Sequence, residues 1–203
     1  MKRILALVDG FNLYHSMADR KDLSKYKWLN LRKLIECFTI DNEEIVNIIY
    51  FSAYAFWKPE RVIRHQTYVN ALRTVNVKPV MSEFKRKTLK CKLCKKVYTT
   101  YEEKQTDVQI AINLFREGMN DSYDKAMIVS GDSDLIPAIE AVKSKFPAKT
   151  IHILFPPKRA IESLKQVADQ YSKIKEKHLA SSQFSDTIKL DNNKSLIKPI
   201  EWK

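Results

Sequence analysis

The sequence predicts an α/β fold, a three-layer α/β/α sandwich around a mainly parallel central sheet. Two observations lead there. Short apolar runs alternate with segments of helical period, and the runs are continuously apolar rather than alternating apolar with polar. A strand covered by helices on both faces carries that continuous pattern.

The elements follow in order. Residues 3–8 form an apolar run stopped by Asp9-Gly10, and a helix is expected from Phe11. Leu31, Leu34, Ile35 and Phe38 recur at helical spacing, and residues 44–53 (EIVNIIYFSA) are rich in the β-branched and aromatic residues of a second strand. Pro59 suits the first turn of a helix carrying Val62, Ile63, Tyr68, Val69 and Leu72, and residues 77–81 make a third strand. Residues 103–116 are helical by period, 125–129 a strand, 135–142 a helix and 150–155 a fifth strand. One domain is expected over residues 1–178, with a basic insertion at about 84–102. Residues 179–203 read as a C-terminal appendage in which TIKLDNNKSLIKPI suits a hairpin around Asp191 to Asn193.

Composition narrows the function. Lys and Arg total 36 against 24 Asp and Glu, a net charge of +12 that favours polyanions through release of their counterions. Only three glycines occur, so no glycine-rich phosphate loop is present and a nucleotide cofactor is disfavoured. The first apolar run is too short for a signal-peptide core or a membrane span, and three cysteines do not make a secreted disulfide framework. A cytoplasmic protein that does not engage membranes is expected.

Chemistry gathers at one rim. In an open parallel sheet, ligands bind beyond the carboxyl ends of the strands. Asp9 follows the first strand there, and Asp132 and Asp134 follow the fourth. Asp107 shares a helical stripe with Ile110, Ala111 and Leu114, and Glu103 is expected one turn before it on the same face. Each acid alone suits a helix cap or a turn. Together they would repel one another unless a cation stood among them, and carboxylate oxygens select Mg²⁺ or Mn²⁺. Such an ion can hold a phosphodiester, acidify the attacking water and stabilise the leaving oxygen.

LALVDGFNLYHS, YEEKQTDVQIAINL and MIVSGDSDLIPAIEAVK, in that order, resemble the NYN domain in its LabA-like branch, within the PIN-like nuclease superfamily, over roughly residues 1–173. The resemblance implies a Rossmann-like topology. It also implies that Asp9, Asp107, Asp132 and Asp134 are the metal-binding acids of a ribonuclease-like site, that Asn12 supports the site through its amide, and that Ser130 and Ser133 orient ligands. None of the core acids is replaced in this chain.

FKRKTLKCKLCKKVYTTYEEK, residues 84–104, is a dense basic segment ahead of the Asp107 helix. Lys85, Arg86, Lys87, Lys90, Lys92, Lys95 and Lys96 are interleaved with Tyr98 and Tyr101, a mixture suited to phosphates and unstacked bases, and Lys104 can reach a phosphate. A solvated edge hairpin is the plainer reading. Cys91 and Cys94 are half of a Zn²⁺ knuckle that Cys37, His15, His65 or a second subunit in a homodimer would have to complete, and a redox pair or two free thiols are the alternatives.

The expected function is hydrolysis of phosphodiester bonds by a divalent-metal-dependent nuclease acting on RNA, single-stranded or structured. The rival is a non-catalytic RNA-binding or regulatory module on the same fold. A phosphatase acting through an aspartyl-phosphate is disfavoured because Asp9 has no second Asp two positions on, and a sugar-nucleotide transferase because the short chain has no evident domain for the nucleotide sugar.

Overall fold

The computed structural model describes residues 1–190 and 194–202. Its strands are β1 (Lys2–Asp9), β2 (Glu43–Ala53), β3 (Val77–Lys90), β4 (Val97–Lys104), β5 (Lys125–Val129), β6 (Thr150–Phe155), β7 (Gln170–Lys173), β8 (Thr187–Lys189) and β9 (Ser195–Ile197). Its helices are α1 (Gly10–Ala18), α2 (Leu31–Glu36), α3 (Pro59–Arg73), α4 (Thr106–Met119), α5 (Ile136–Lys145), α6 (Glu162–Val167) and α7 (Glu176–Ser181). Seven strands form one sheet in the order β4-β3-β2-β1-β5-β6-β7, parallel throughout except for the antiparallel edge pair β3–β4.

The pleat of β1 explains the three layers. Ile4, Ala6 and Val8 pack in one apolar cluster with Leu13 of α1, Leu34 of α2 and Leu72 of α3. Leu5 and Leu7 point the other way, into a second cluster with Ile110 and Leu114 of α4 and Ile139 of α5. Both faces of the strand are therefore dry, and each of the Ile, Leu and Val side chains contributes about 1.5–3 kcal/mol by leaving water. A one-residue slip of β1 would exchange the faces, so burial pins the register and with it the position of Asp9 at the strand's end. At the opposite rim, the buried Lys125–Glu43 pair at 2.9 Å ties β5 to β2.

The expected sandwich is observed, and the strands at 125–129 and 150–155 have the expected bounds. Two edges differ. The third strand runs on to Lys90 and pairs with β4, so the basic insertion is an extension of the sheet. Its outer part carries no core-facing apolar stripe, since residues 85–88 are all exposed, which is why periodicity does not reveal it. The short edge strand β7, mostly exposed, escapes sequence reading for the same reason.

The tail from residue 179 folds back onto the domain. Trp202 joins the first cluster, 6.2 Å from Trp28 and 5.8 Å from Tyr68 between ring centroids, and Arg64 pairs with Glu201 at 2.6 Å. β8 and β9 pair antiparallel, while the expected turn at Asp191 to Asn193 lies outside the described residues. Among the described residues, no helix is long and apolar enough to cross a membrane.

Candidate active site

The strand order reverses between β1 and β5: β2 and β3 lie to one side of β1, while β5, β6 and β7 lie to the other. A crevice opens at such a switch point, outside the carboxyl ends of the strands. Here it is a cleft of about 230 Å³ lined by Asp9, Asn12, Glu103, Asp107, Asp132 and Arg159, with Phe11, His15 and Thr106 completing the wall.

Local chemistry holds the walls in place. Asp9 caps α1, its Oδ1 accepting from the Asn12 N–H at 2.9 Å, and its Oδ2 accepts from Ser130 Oγ at 2.9 Å. Ser130 Oγ in turn accepts from the Asp132 N–H at 3.1 Å, and Asn12 Oδ1 accepts from the Gly131 N–H at 3.1 Å. The loops after β1 and β5 are thus fastened to each other. Asp132 Oδ1 caps the next turn by accepting from the Asp134 N–H at 3.0 Å. Gly131 is needed where it stands: an added Cβ would run into the Arg159 carbonyl and lie 2.7 Å from Arg159 Cβ. Only a residue without a side chain lets the loop after β6 approach the cleft this closely.

Glu103 arrives by a route the sequence does not reveal. It belongs to β4, not to the Asp107 helix, and Gln105 at φ 79° turns the chain sharply so that α4 begins at Thr106. Its Oε1 accepts from the Thr106 N–H at 3.2 Å and from the Thr106 hydroxyl, which places a carboxylate at the helix start. Asp107 stands in the first turn of α4, half-buried. Asp134 and Ser133 are exposed and neither lines the cleft.

Burial and neighbouring charge raise the proton affinity of Asp9 and Asp107. Burial pushes the Asp9 carboxyl up, with Asp132 and Glu103 adding repulsion against the opposing bonds from Asn12 and Ser130. Asp107 is pushed up to about 6, first by burial and then by the charges of Asp132, Asp9, Glu103 and Asp134. Hard oxygen donors under mutual repulsion suit a hard divalent cation. Among the described residues, no three His, Cys, Asp or Glu side chains already meet as a ligand cluster. The candidate Zn²⁺ ligands therefore do not converge either. Cys37 lies against Ser182 at 3.7 Å, His65 against Tyr50 at 3.2 Å, and Cys91 and Cys94 sit in the hairpin tip.

The pleat also sorts the basic segment. Cross-strand partners share a face, so Phe84, Arg86, Thr88 and Lys90 lie with Glu103, Tyr101, Thr99 and Val97, on the face that delivers Glu103 to the cleft. Lys85, Lys87 and Lys104 lie on the other face, where Lys87 and Lys104 pair with Glu102 at 3.2 and 2.8 Å. Lys92, Lys95 and Lys96 are exposed in the turn.

With that geometry established, the NYN domain family profile matches residues 3–175. The chain belongs to the NYN domain family. NYN domains fall within the PIN-like nuclease superfamily, whose members are generally hydrolases acting on nucleic acid. This NYN chain is 22% identical over 233 aligned positions to a 6-hydroxy-3-succinoylpyridine 3-monooxygenase of Pseudomonas putida, covering 96% of this chain and 73% of that protein. That activity is the relative's own. A crystal structure of a protein of unknown function from Vibrio parahaemolyticus superposes with a TM-score of 0.62 at 16% identity, covering 86% of this chain and 94% of that one, which is a likeness of fold.

Sequence reasoning missed three parts of this NYN cleft. Arg159 sits in the loop after β6, and the rule that ligands bind beyond strand carboxyl ends could have found it. Phe11, in the first turn of α1, and Thr106, at the start of α4, line the cleft without a titratable group that would single them out in the sequence.

Proposed function

We propose that this NYN domain hydrolyses phosphodiester bonds in RNA with the help of Mg²⁺ or Mn²⁺ held at the cleft. One observation carries the reading: four carboxylates, from Asp9, Glu103, Asp107 and Asp132, line a single cleft at the switch point of a chain whose net charge is +12. Asp9, Asp107 and Asp132 would hold the ion, with Glu103 and Asp134 adding negative potential around it. The ion supplies neutralisation of the phosphate and a more acidic water. Asn12 and Ser130 are positioning residues that keep Asp9 and the Gly131 loop in place, and Ser133 stands at the edge of the same loop. Arg159, the cation in the cleft wall, suits a non-bridging phosphate oxygen. Arg86 and Lys90 on the cleft-side face would track the backbone, with Lys92, Lys95 and Lys96 beyond them at the tip; Lys85, Lys87 and Lys104 add long-range attraction from the far face.

The test is cleavage of labelled single-stranded and structured RNA by the wild-type protein and Asp132→Asn, each in Mg²⁺, Mn²⁺ or EDTA. Cleavage that disappears in EDTA and in the variant is expected. Binding without cleavage under every condition would favour a non-catalytic RNA-binding module on this fold.

A further inference from the structure

An aromatic track leads out of the acidic cleft along the face of the hairpin that carries Glu103. Phe11, in the cleft wall, meets Phe84 edge to face at 5.3 Å, and Phe84 meets Trp57 in the same way at 4.7 Å. Trp57 lies flat on Tyr101, with centroids 3.7 Å apart and planes 4° from parallel. Phe56 closes the far end, 5.5 Å from Tyr101 and 57% exposed. Core packing would bury these rings, but Phe11, Trp57, Phe84 and Tyr101 are only partly buried and Phe56 is open to water. Rings left at a surface in a continuous line mark a binding site.

The surroundings identify the occupant. Arg86 stands directly across the β3–β4 ladder from Tyr101 on the same face, Lys90 lies four pairs further out on that face, and Lys58 is exposed beside Trp57. Flat rings bordered by cations suit nucleobases whose phosphates run alongside. A protein partner would sooner select an apolar patch with fewer uncompensated cations.

We propose that this track is a stacking subsite for unpaired nucleobases of the strand whose phosphate occupies the cleft, so that the protein selects substrates with a single-stranded stretch beside the target bond. The proposal rests on the nuclease reading for the role of the cleft, while stacking itself needs no catalysis. A duplex cannot use the track, because its bases already stack on each other.

The experiment measures binding in EDTA, where no divalent ion supports cleavage. A short fluorescent single-stranded RNA, the same RNA with abasic positions, and the matching duplex are titrated with wild type, Trp57→Leu and Trp57→Tyr. Trp57→Leu is expected to weaken binding of the intact single strand about tenfold, since one base on an aromatic ring contributes on that order. Removing the bases should weaken wild type by a similar factor and leave Trp57→Leu almost unchanged. Trp57→Tyr, which keeps a ring in the hairpin, should restore most of the affinity. Equal abasic penalties in wild type and Trp57→Leu, or a duplex bound as tightly as the single strand, would overturn the proposal. Failure of the nuclease reading would appear separately, as unchanged stacking data with no cleavage when Mg²⁺ or Mn²⁺ is restored.

Discussion

Ser130 Oγ donates a 2.9 Å hydrogen bond to Asp9 Oδ2, joining the ends of the adjacent strands β1 and β5 through a carboxylate that is only 4% exposed. Ser130→Ala leaves Asp9 with the Asn12 N–H alone and a buried lone pair without a donor. The variant should lose about 1–2 kcal/mol of stability. Urea denaturation checks this, and a midpoint equal to wild type would show that the bond contributes nothing.

Asp107 pulls against folding. Its folded pKa of about 6 lies above the ordinary value of 3.8, so its ionisation costs stability that grows as pH rises past 3.8 and is complete above about 6. Asp107→Asn should raise the stability of the metal-free protein at pH 7 by about 1 kcal/mol, allowing for solvent screening of a half-exposed group. The same change should shrink the rise in Tm on adding Mg²⁺ or Mn²⁺. Thermal scans with and without each ion measure both effects, and a variant less stable than wild type without metal would contradict the repulsion.

Gly131 is where three loops meet. Gly131→Ala must move backbone rather than a flexible side-chain end, because the nearest neighbour is the Arg159 carbonyl. A loss of about 1–3 kcal/mol is expected, together with loss of cleavage as Arg159 is displaced from the cleft. An unchanged Tm would show that the loops part freely.

His65 makes stability depend on pH. Burial holds its imidazole down at about 4, against an ordinary value of 6.5, with Nε2 beside the Tyr50 hydroxyl. The unfolded chain therefore takes up the proton first, and the stabilisation is complete above about pH 6.5 and lost as pH falls toward 4. The loss reaches about 3 kcal/mol at the acid end. His152, also held near 4 by burial and by Lys125, acts in the same direction. Denaturation midpoints at pH 7 and pH 5 should differ by more in wild type than in His65→Gln; equal differences would place the pH dependence elsewhere.

Much of the fold is legible in one dimension because burial on both sheet faces imposes a local signature. Residues 126–129 are continuously apolar and residues 150–155 mostly so, and the Asp9-Gly10 and Gly131-Asp132 stops mark where strands leave the core. The carboxyl-end rule then puts Asp9 and Asp132 on one rim before any coordinate is known. Glu103 reads as helical in one dimension because β4 has no apolar face to show a period of two, and its carboxylate reaches the cleft only through the left-handed turn at Gln105.

The layered architecture, the run of acids at the strand ends and the basic character of the chain are written locally, since burial, turn chemistry and charge act on neighbouring residues. Which charges share a face and which groups share the cleft depends on long-range packing. The pleat of a two-stranded ladder sends Arg86 toward the acids and Lys85 and Lys87 away from them. Arg159 enters the wall because a glycine 28 positions earlier leaves room for it, and Trp57 meets Tyr101 across 44 residues. Such pairings depend on how distant segments pack, and no local pattern in the chain encodes them.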